Sequence, residues 1–318
     1  LVCARFFHGV SGAAVLTAGL AAASQLWPHN FGEAAGSLIG MATVGALLGP
    51  VVGGWAFEIG ASSAFLLLAG ITFLALPIVL YASKEIGHGQ SEGGLEQVPI
   101  KEFIAHPVLL RIGLLIMFSA LATGALEAGV PLLLSEPPMN MGPGQISLVL
   151  LVLVLLQGIG GWWWGRLVDR TEPTRWMIVG WTGVITGLVA SGVISSNIDG
   201  KVGILLIVGM LGIFQFSVAA AQIPMLPMID AATTRAYGRG SAGLAFGAFG
   251  TAWAAGTLIG PLFIGALHDL TGEWSLSLGL LAIPGVCGMI MTLSNRNELR
   301  SCYNEEMQRR ALMPDEGE

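Results

Sequence analysis

Residues 36–54 read GSLIGMATVGALLGPVVGG, in which Gly36, Gly45, Gly49, Pro50, Gly53 and Gly54 follow the spacing G-x8-G-x3-GP-x2-GG. The stretch is apolar and uncharged, and the run around it is long enough to cross a hydrocarbon core of ~30 Å as a helix. Glycines three or four apart strip one helix face of side chains, so a neighbouring backbone can approach closely. The proline removes one backbone hydrogen bond and bends the helix. The same device recurs downstream, where Gly247, Gly256, Gly260, Pro261 and Gly265 read G-x8-G-x3-GP-x3-G. One register repeated in two distant segments is the mark of a chain built from repeated halves.

Working outward, apolar runs of similar length fill the chain. Of 318 residues 54% are hydrophobic and 11% charged, against roughly 25% charged in ordinary soluble domains. Nine spans are expected, near residues 1–24, 35–56, 62–83, 108–134, 145–168, 174–194, 202–228, 241–268 and 274–294. In lipid every backbone polar group must be satisfied internally, which leaves helices or closed barrels. Continuous runs without alternation select helices, so the fold class is an all-α, multi-pass membrane protein. Residues 84–107 form the longest polar interruption, rich in Gly, Ser and Glu, and read as a flexible linker. If that linker is cytoplasmic, twelve of the fourteen Lys and Arg lie on its side, which is the positive-inside bias. The expected organisation is a partial N-terminal bundle (1–83), the linker (84–107), a six-helix bundle (108–294) and a cytoplasmic tail (295–318).

With the motifs in hand, the sequence resembles the drug:H⁺ antiporter branch of the major facilitator superfamily, with vesicular monoamine transporters and fungal multidrug efflux members among its relatives. Residues 36–54 match the antiporter motif of that branch's fifth helix. The opening LVCARFFHGVSGAA is similar to its motif B in helix four, with Arg5, Gly9, Gly12 and Ala13 in place, and GRLVDRTEPTR resembles motif A between helices eight and nine, through Gly165, Asp169 and Arg170. The resemblance implies the major facilitator fold with helices 4 to 12 of twelve, three further spans lying before Leu1. It also implies a gate at motif A and close packing along the antiporter motif and its copy at Gly256, Gly260 and Pro261. One departure stands out. The glycine and basic run that follow the Asp-Arg pair in the family are here Glu172, Pro173 and Thr174.

A charge at membrane depth costs about 2.5–3.5 kcal/mol on insertion scales, so each one needs a reason. Glu127, in FSALATGALEAGVPLLL, has no Lys or Arg within fifteen residues. It either binds and releases a proton or hydrogen-bonds a neighbouring helix, and its local string resembles helix seven of vesicular monoamine transporters, where such a glutamate lies in the cation and proton pathway. Asp230, after QIPMLPMI, either joins that pathway or leaves its helix at the cytoplasmic surface. Arg5 occupies the motif B position and either sets the pKa of a partner acid or anchors backbone carbonyls; a guanidinium cannot itself release a proton. Phe214, Phe216, Phe246, Phe249 and Trp253 are candidates to line an apolar cavity or the core, and Trp162, Trp163 and Trp164 read as interfacial anchors. Against a monoamine substrate, Gly250 stands where those transporters carry an acid.

No phosphate-binding loop, clustered histidines or metal-ligand spacing occurs, so ATP drive, nucleic-acid binding, a cofactor, a metal and enzymatic chemistry are not expected. The expectation is a monomeric secondary active transporter that exports a small organic, drug-like or amine substrate in exchange for protons by alternating access. The competing expectations are a facilitator without proton coupling and a truncated, non-transporting membrane protein. No sorting signal separates the plasma membrane from a vacuolar or vesicular one.

Overall fold

A computed structural model describes residues 2–27, 29–85, 105–198, 200–238 and 242–311. Its elements are all helices: α1 (Val2–Leu26), α2 (Phe31–Ile59), α3 (Ala61–Glu85), α4 (Pro107–Ser135), α5 (Pro143–Arg170), α6 (Pro173–Asn197), α7 (Gly200–Gln222), α8 (Met225–Tyr237), α9 (Ala242–Thr271), α10 (Trp274–Leu281), α11 (Ile283–Ser294) and α12 (Arg296–Ala311). Among the residues searched, seven stretches are long and apolar enough to cross a membrane. The two remaining expected spans coincide with α2 and α3, which run 29 and 25 residues. The expected linker lies almost wholly outside the described residues.

Proline starts α4, α5 and α6 at Pro107, Pro143 and Pro173, where its missing N–H costs nothing because the first turn has no acceptor for it. At the other end, Gly238 and Gly272 adopt φ of 89° and 66° and turn their N–H groups back to Thr234 O (2.9 Å) and His268 O (2.8 Å), which closes α8 and α9. The span expected at 202–228 is longer and broken. It runs from Gly200 to Tyr237 with a break at Ile223–Pro224 between α7 and α8, because Pro224 and Pro227 cannot donate to the helix ladder.

Small residues set the packing of the C-terminal bundle. A Cβ on Gly256 would run into Met117 O, Ala120 and Leu121, and one on Gly260 into the backbone of Leu121–Ala125, so α9 lies directly against α4. Gly180, Gly183 and Gly187 bring α6 onto Ser217, Ala220 and Phe214 of α7. Across the α6–α11 seam, the fully buried Trp181 stacks over Gly288 and donates its Nε1–H to Thr292 Oγ1 at 3.1 Å. Between lipid-like surfaces there is little hydrophobic drive for association, so such close approach supplies the attraction. Trp162 and Trp163 are exposed, as interfacial anchors should be. Trp164 is not; it is buried and donates to Phe216 O at 2.9 Å.

The tail expected after residue 294 is a helix. α12 lies against α8, α6 and α11, with Leu299, Cys302 and Tyr303 buried beneath it.

Candidate functional site

The end of the molecule that carries the arginines of the α5–α6 turn and of α12 is called inner here. At that end α2 of the N-terminal segment meets α5 of the C-terminal bundle through glycine on glycine. A Cβ on Gly32 or Gly165 would strike the opposing backbone, as would one on Gly36 against Gly161. One turn further out, a Cβ on Gly40 would lie 3.0 Å from Gly158 O, and a Cβ on Gly158 would lie 3.8 Å from Val44 Cγ2. The seam is therefore tightest at its inner end, where Gly32 and Gly36 meet Gly165 and Gly161.

Asp169 locks that inner end. Its Oδ1 accepts the N–H of Gly32 and its Oδ2 the N–H of Glu33, both at 2.7 Å. These are first-turn amides of α2, which have no acceptor within their own helix and carry the positive end of the helix dipole. Beside them Arg166 Nε donates to Glu33 Oε1 at 2.6 Å and its guanidinium lies 4.0 Å over the Trp162 ring. Arg170, the basic residue that the motif A resemblance singles out, is exposed and makes no ion pair among the described residues; Arg166 bridges the seam instead. A second inner contact joins the same two parts, where the Phe31 and Phe246 rings lie 5.6 Å apart.

Of the charges expected at membrane depth, Glu127 and Asp230 have described side chains. Glu127 sits in the outer half of α4, exposed, with no hydrogen bond or ion pair among the described residues. Its neighbours Gly124, Ala125 and Leu126 are buried, and Gly124 packs on the Thr257 backbone of α9, so the carboxylate points away from the α4–α9 seam. Asp230 is 4% exposed within α8, every residue of which from Met225 to Thr233 is buried. It does not lie at a helix end on the surface, because α8 continues to Tyr237 and is enclosed by α4, α9 and α12. Arg5 lies in α1, and Gly49, Pro50, Gly53 and Gly54 lie in α2, but the surroundings of their side chains fall outside the described residues.

In α2 the first glycine of the device, Gly36, is in close contact; in α9 the first, Gly247, has nothing within 4 Å among the described residues while Gly256 and Gly260 are packed tight. The proposed cavity aromatics also divide, since Phe214, Phe246 and Phe249 are core residues.

Three further polar features stand out in the structure. Gln215 and Gln222, seven residues apart on α7, are buried and each leaves one amide atom without a partner. At the outer end a cavity of about 300 Å³ is lined by Glu136, His268, Glu273 and Trp274 among others; Trp274 Nε1–H donates to Glu136 at 2.7 Å and stacks on His268 at 4.1 Å. At the inner end Glu172 takes two bonds from Arg296, at 3.0 and 3.2 Å, and one from Thr174 at 2.7 Å. Burial pushes the Glu172 carboxyl up, but the hydrogen bonds from Thr174 and Arg296 and the charges of Arg296 and Arg300 outweigh it, leaving the group below its ordinary range.

A two-part helical body, joined by a glycine seam at one end, is matched by the Major Facilitator Superfamily model over residues 1–226 and again over 139–309. The chain belongs to that superfamily. It is 26% identical to the human MFS-type transporter SLC18B1 over 98% of this chain and 70% of that protein, and 24% identical to its mouse counterpart over the same shares. It is also 25% identical to the 3-(3-hydroxy-phenyl)propionate transporter of Escherichia coli strain K12, over 95% of this chain and 73% of the relative. Family and relatives make the protein a multi-pass membrane transporter rather than an enzyme.

Proposed function

We propose that the protein is a secondary active transporter of the drug:H⁺ antiporter type, which exports a small organic, drug-like or amine substrate in exchange for protons by rocking of two helical bundles about a site near the bilayer midplane. The observation that carries the reading is the seam between α2 and α5, closed at its inner end by Asp169 and the Gly32–Gly165 and Gly36–Gly161 contacts. A closed inner end is what one state of an alternating-access cycle requires. Asp169, with Gly165 beneath it and Arg166 and Arg170 beside it, is the gate. Hydrogen bonds to a charged group contribute about 1.5–3 kcal/mol each, so releasing both Asp169 bonds is a barrier that substrate or proton binding has to offset.

Glu127 is the coupling residue in this reading. An acid with no local partner in an apolar span is free to alternate between protonated and charged forms as the state of the transporter changes its surroundings. Asp230, inside the inner half of the bundle, is the second acid of the route, and Arg5 tunes a carboxylate by its fixed charge. The named substrate of the E. coli relative is a small aromatic carboxylic acid, which supports the size class proposed here and leaves the sign of the substrate's charge to experiment. The test is uptake into proteoliposomes under an imposed proton gradient. Glu127→Gln is expected to abolish gradient-driven accumulation while counterflow of bound substrate continues; wild-type accumulation by Glu127→Gln would show the coupling assignment to be wrong.

A further inference from the structure

The turn that carries Asp169 departs from motif A, with Glu172 in the position of the glycine and Pro173 and Thr174 in that of the basic run. That acid is the anchor for the tail. Glu172 Oε1 accepts from Arg296 Nη2 at 3.0 Å and lies 3.9 Å from Arg300 Nε, and both arginines belong to α12. The helix is fastened at three further points: Arg111 of α4 to Glu298, Arg235 of α8 to Glu305 at 3.2 Å, and the Tyr303 hydroxyl, which donates to Val168 O at 3.3 Å. Val168 immediately precedes Asp169, and Glu172 follows it by three residues, so α12 grips the gate turn on both sides of the gating carboxylate. Beneath the strap Leu299, Cys302 and Tyr303 are buried at i, i+3 and i+4 spacing, which keeps the polar helix seated by one apolar stripe.

We propose that Glu172, held by Arg296 and Arg300, is a positioning residue of the inner gate, and that α12 is the strap that keeps the α5–α6 turn where Asp169 can cap α2. The inference rests on the reading of Asp169 as the gate. Its physical ground is reach. Both Asp169 bonds are 2.7 Å, and a charge-assisted bond of that length is lost on a displacement of an ångström. The last turn of α5 has no following helical residues to hold it, and helix ends are where structure opens first. A basic run after Asp169 would repel Arg296 and Arg300; the acid recruits them, and with them the rest of the tail. The gate is thereby linked to α4 and α8 through α12, which bonds α5 itself at Val168, one residue before the gating carboxylate.

The test uses the complete protein in lipid nanodiscs with spin labels on cysteines placed at Asn30 and Arg175, exposed positions on the inner ends of the two parts, and reads the distance distribution by pulsed electron resonance. Wild type is expected to show mainly a short distance. Glu172→Gln and Arg296→Ala are each expected to raise the long-distance population roughly two- to fivefold, the scale of one partly exposed ion pair, and the exchange Glu172→Arg with Arg296→Glu to bring it back. The return on charge exchange separates positioning from simple damage, since a tail needed only for folding would lose stability in the exchange as well. Asp169→Asn is run beside them. If Asp169→Asn opens the inner end and neither Glu172→Gln nor Arg296→Ala shifts the distribution, the strap is overturned and the gate stands. If Asp169→Asn itself leaves the distribution unchanged, the gate reading falls, and the strap with it.

Discussion

The carboxylate of Asp169 accepts the backbone N–H groups of Gly32 and Glu33, 137 and 136 residues earlier in the chain, at 2.7 Å each. This pairing places a negative charge on the positive end of α2 and ties together two parts of the chain that a long polar linker separates in sequence. Because both donors are main-chain groups, the contact depends on one side chain only, and its removal cannot be compensated by a neighbour on α2.

Asp169→Asn keeps one acceptor and removes the charge, so it weakens the cap without emptying the space. We expect the inner ends to open, with an increase of roughly tenfold in labelling by a membrane-impermeant maleimide at an inner cysteine, as about 1.4 kcal/mol would give and as the loss of one charge-assisted bond supports. The measurement is the labelling rate in inside-out vesicles.

Glycines that look equivalent in the motif are expected to behave differently. Gly36→Ala meets the Gly161 backbone and Gly256→Ala meets Met117 O and Ala120, whereas Gly247→Ala has open space. Overpacking of a close seam costs typically 1–3 kcal/mol. Thermal unfolding in detergent should fall clearly for Gly256→Ala and hardly for Gly247→Ala, and Gly36→Ala should chiefly prevent inner closure, read as a permanently accessible inner cavity.

The tail contact has a defined pH dependence. Glu172 titrates below its ordinary value of 4.5 in the folded protein, so its ion pair with Arg296 contributes at every pH above that value and is lost only as pH falls through the lower, folded value. Distance measurements between labels at Asn304 on α12 and Arg175 on α6 should therefore be flat from pH 7 through pH 5 and broaden in more acidic buffer. In Glu172→Gln the broadening should be present already at neutral pH.

Much of this was legible from pattern. The repeated glycine–proline spacing and the run lengths give the helices and the superfamily, because in lipid backbone satisfaction leaves few alternatives. Close approach at Gly36, Gly256 and Gly260 fits the same spacing, and the register sets Gly45 and Gly247 nine residues from Gly36 and Gly256, on the opposite face of each helix; which of the two faces meets a neighbour is not in the spacing. Asp230 stands between two readings in sequence because the break at Pro224 hides the continuation of the helix to Tyr237. Charges dominate RNELRSCYNEEMQRR, so composition alone points to a cytoplasmic tail. Its three-residue stripe, Leu299, Cys302 and Tyr303, was the signal for a docked helix. Glu172 was visible only as a departure from a motif, as its partner lies 124 residues away and sequence spacing carries no information about such a pair.

The most direct test of proton-coupled exchange is the effect of Glu127→Gln on transport in proteoliposomes with a proton gradient imposed across the membrane. The account predicts that the variant exchanges substrate across the bilayer but no longer accumulates it against a gradient. Accumulation at the wild-type level by Glu127→Gln, with the same dependence on external pH, would contradict it.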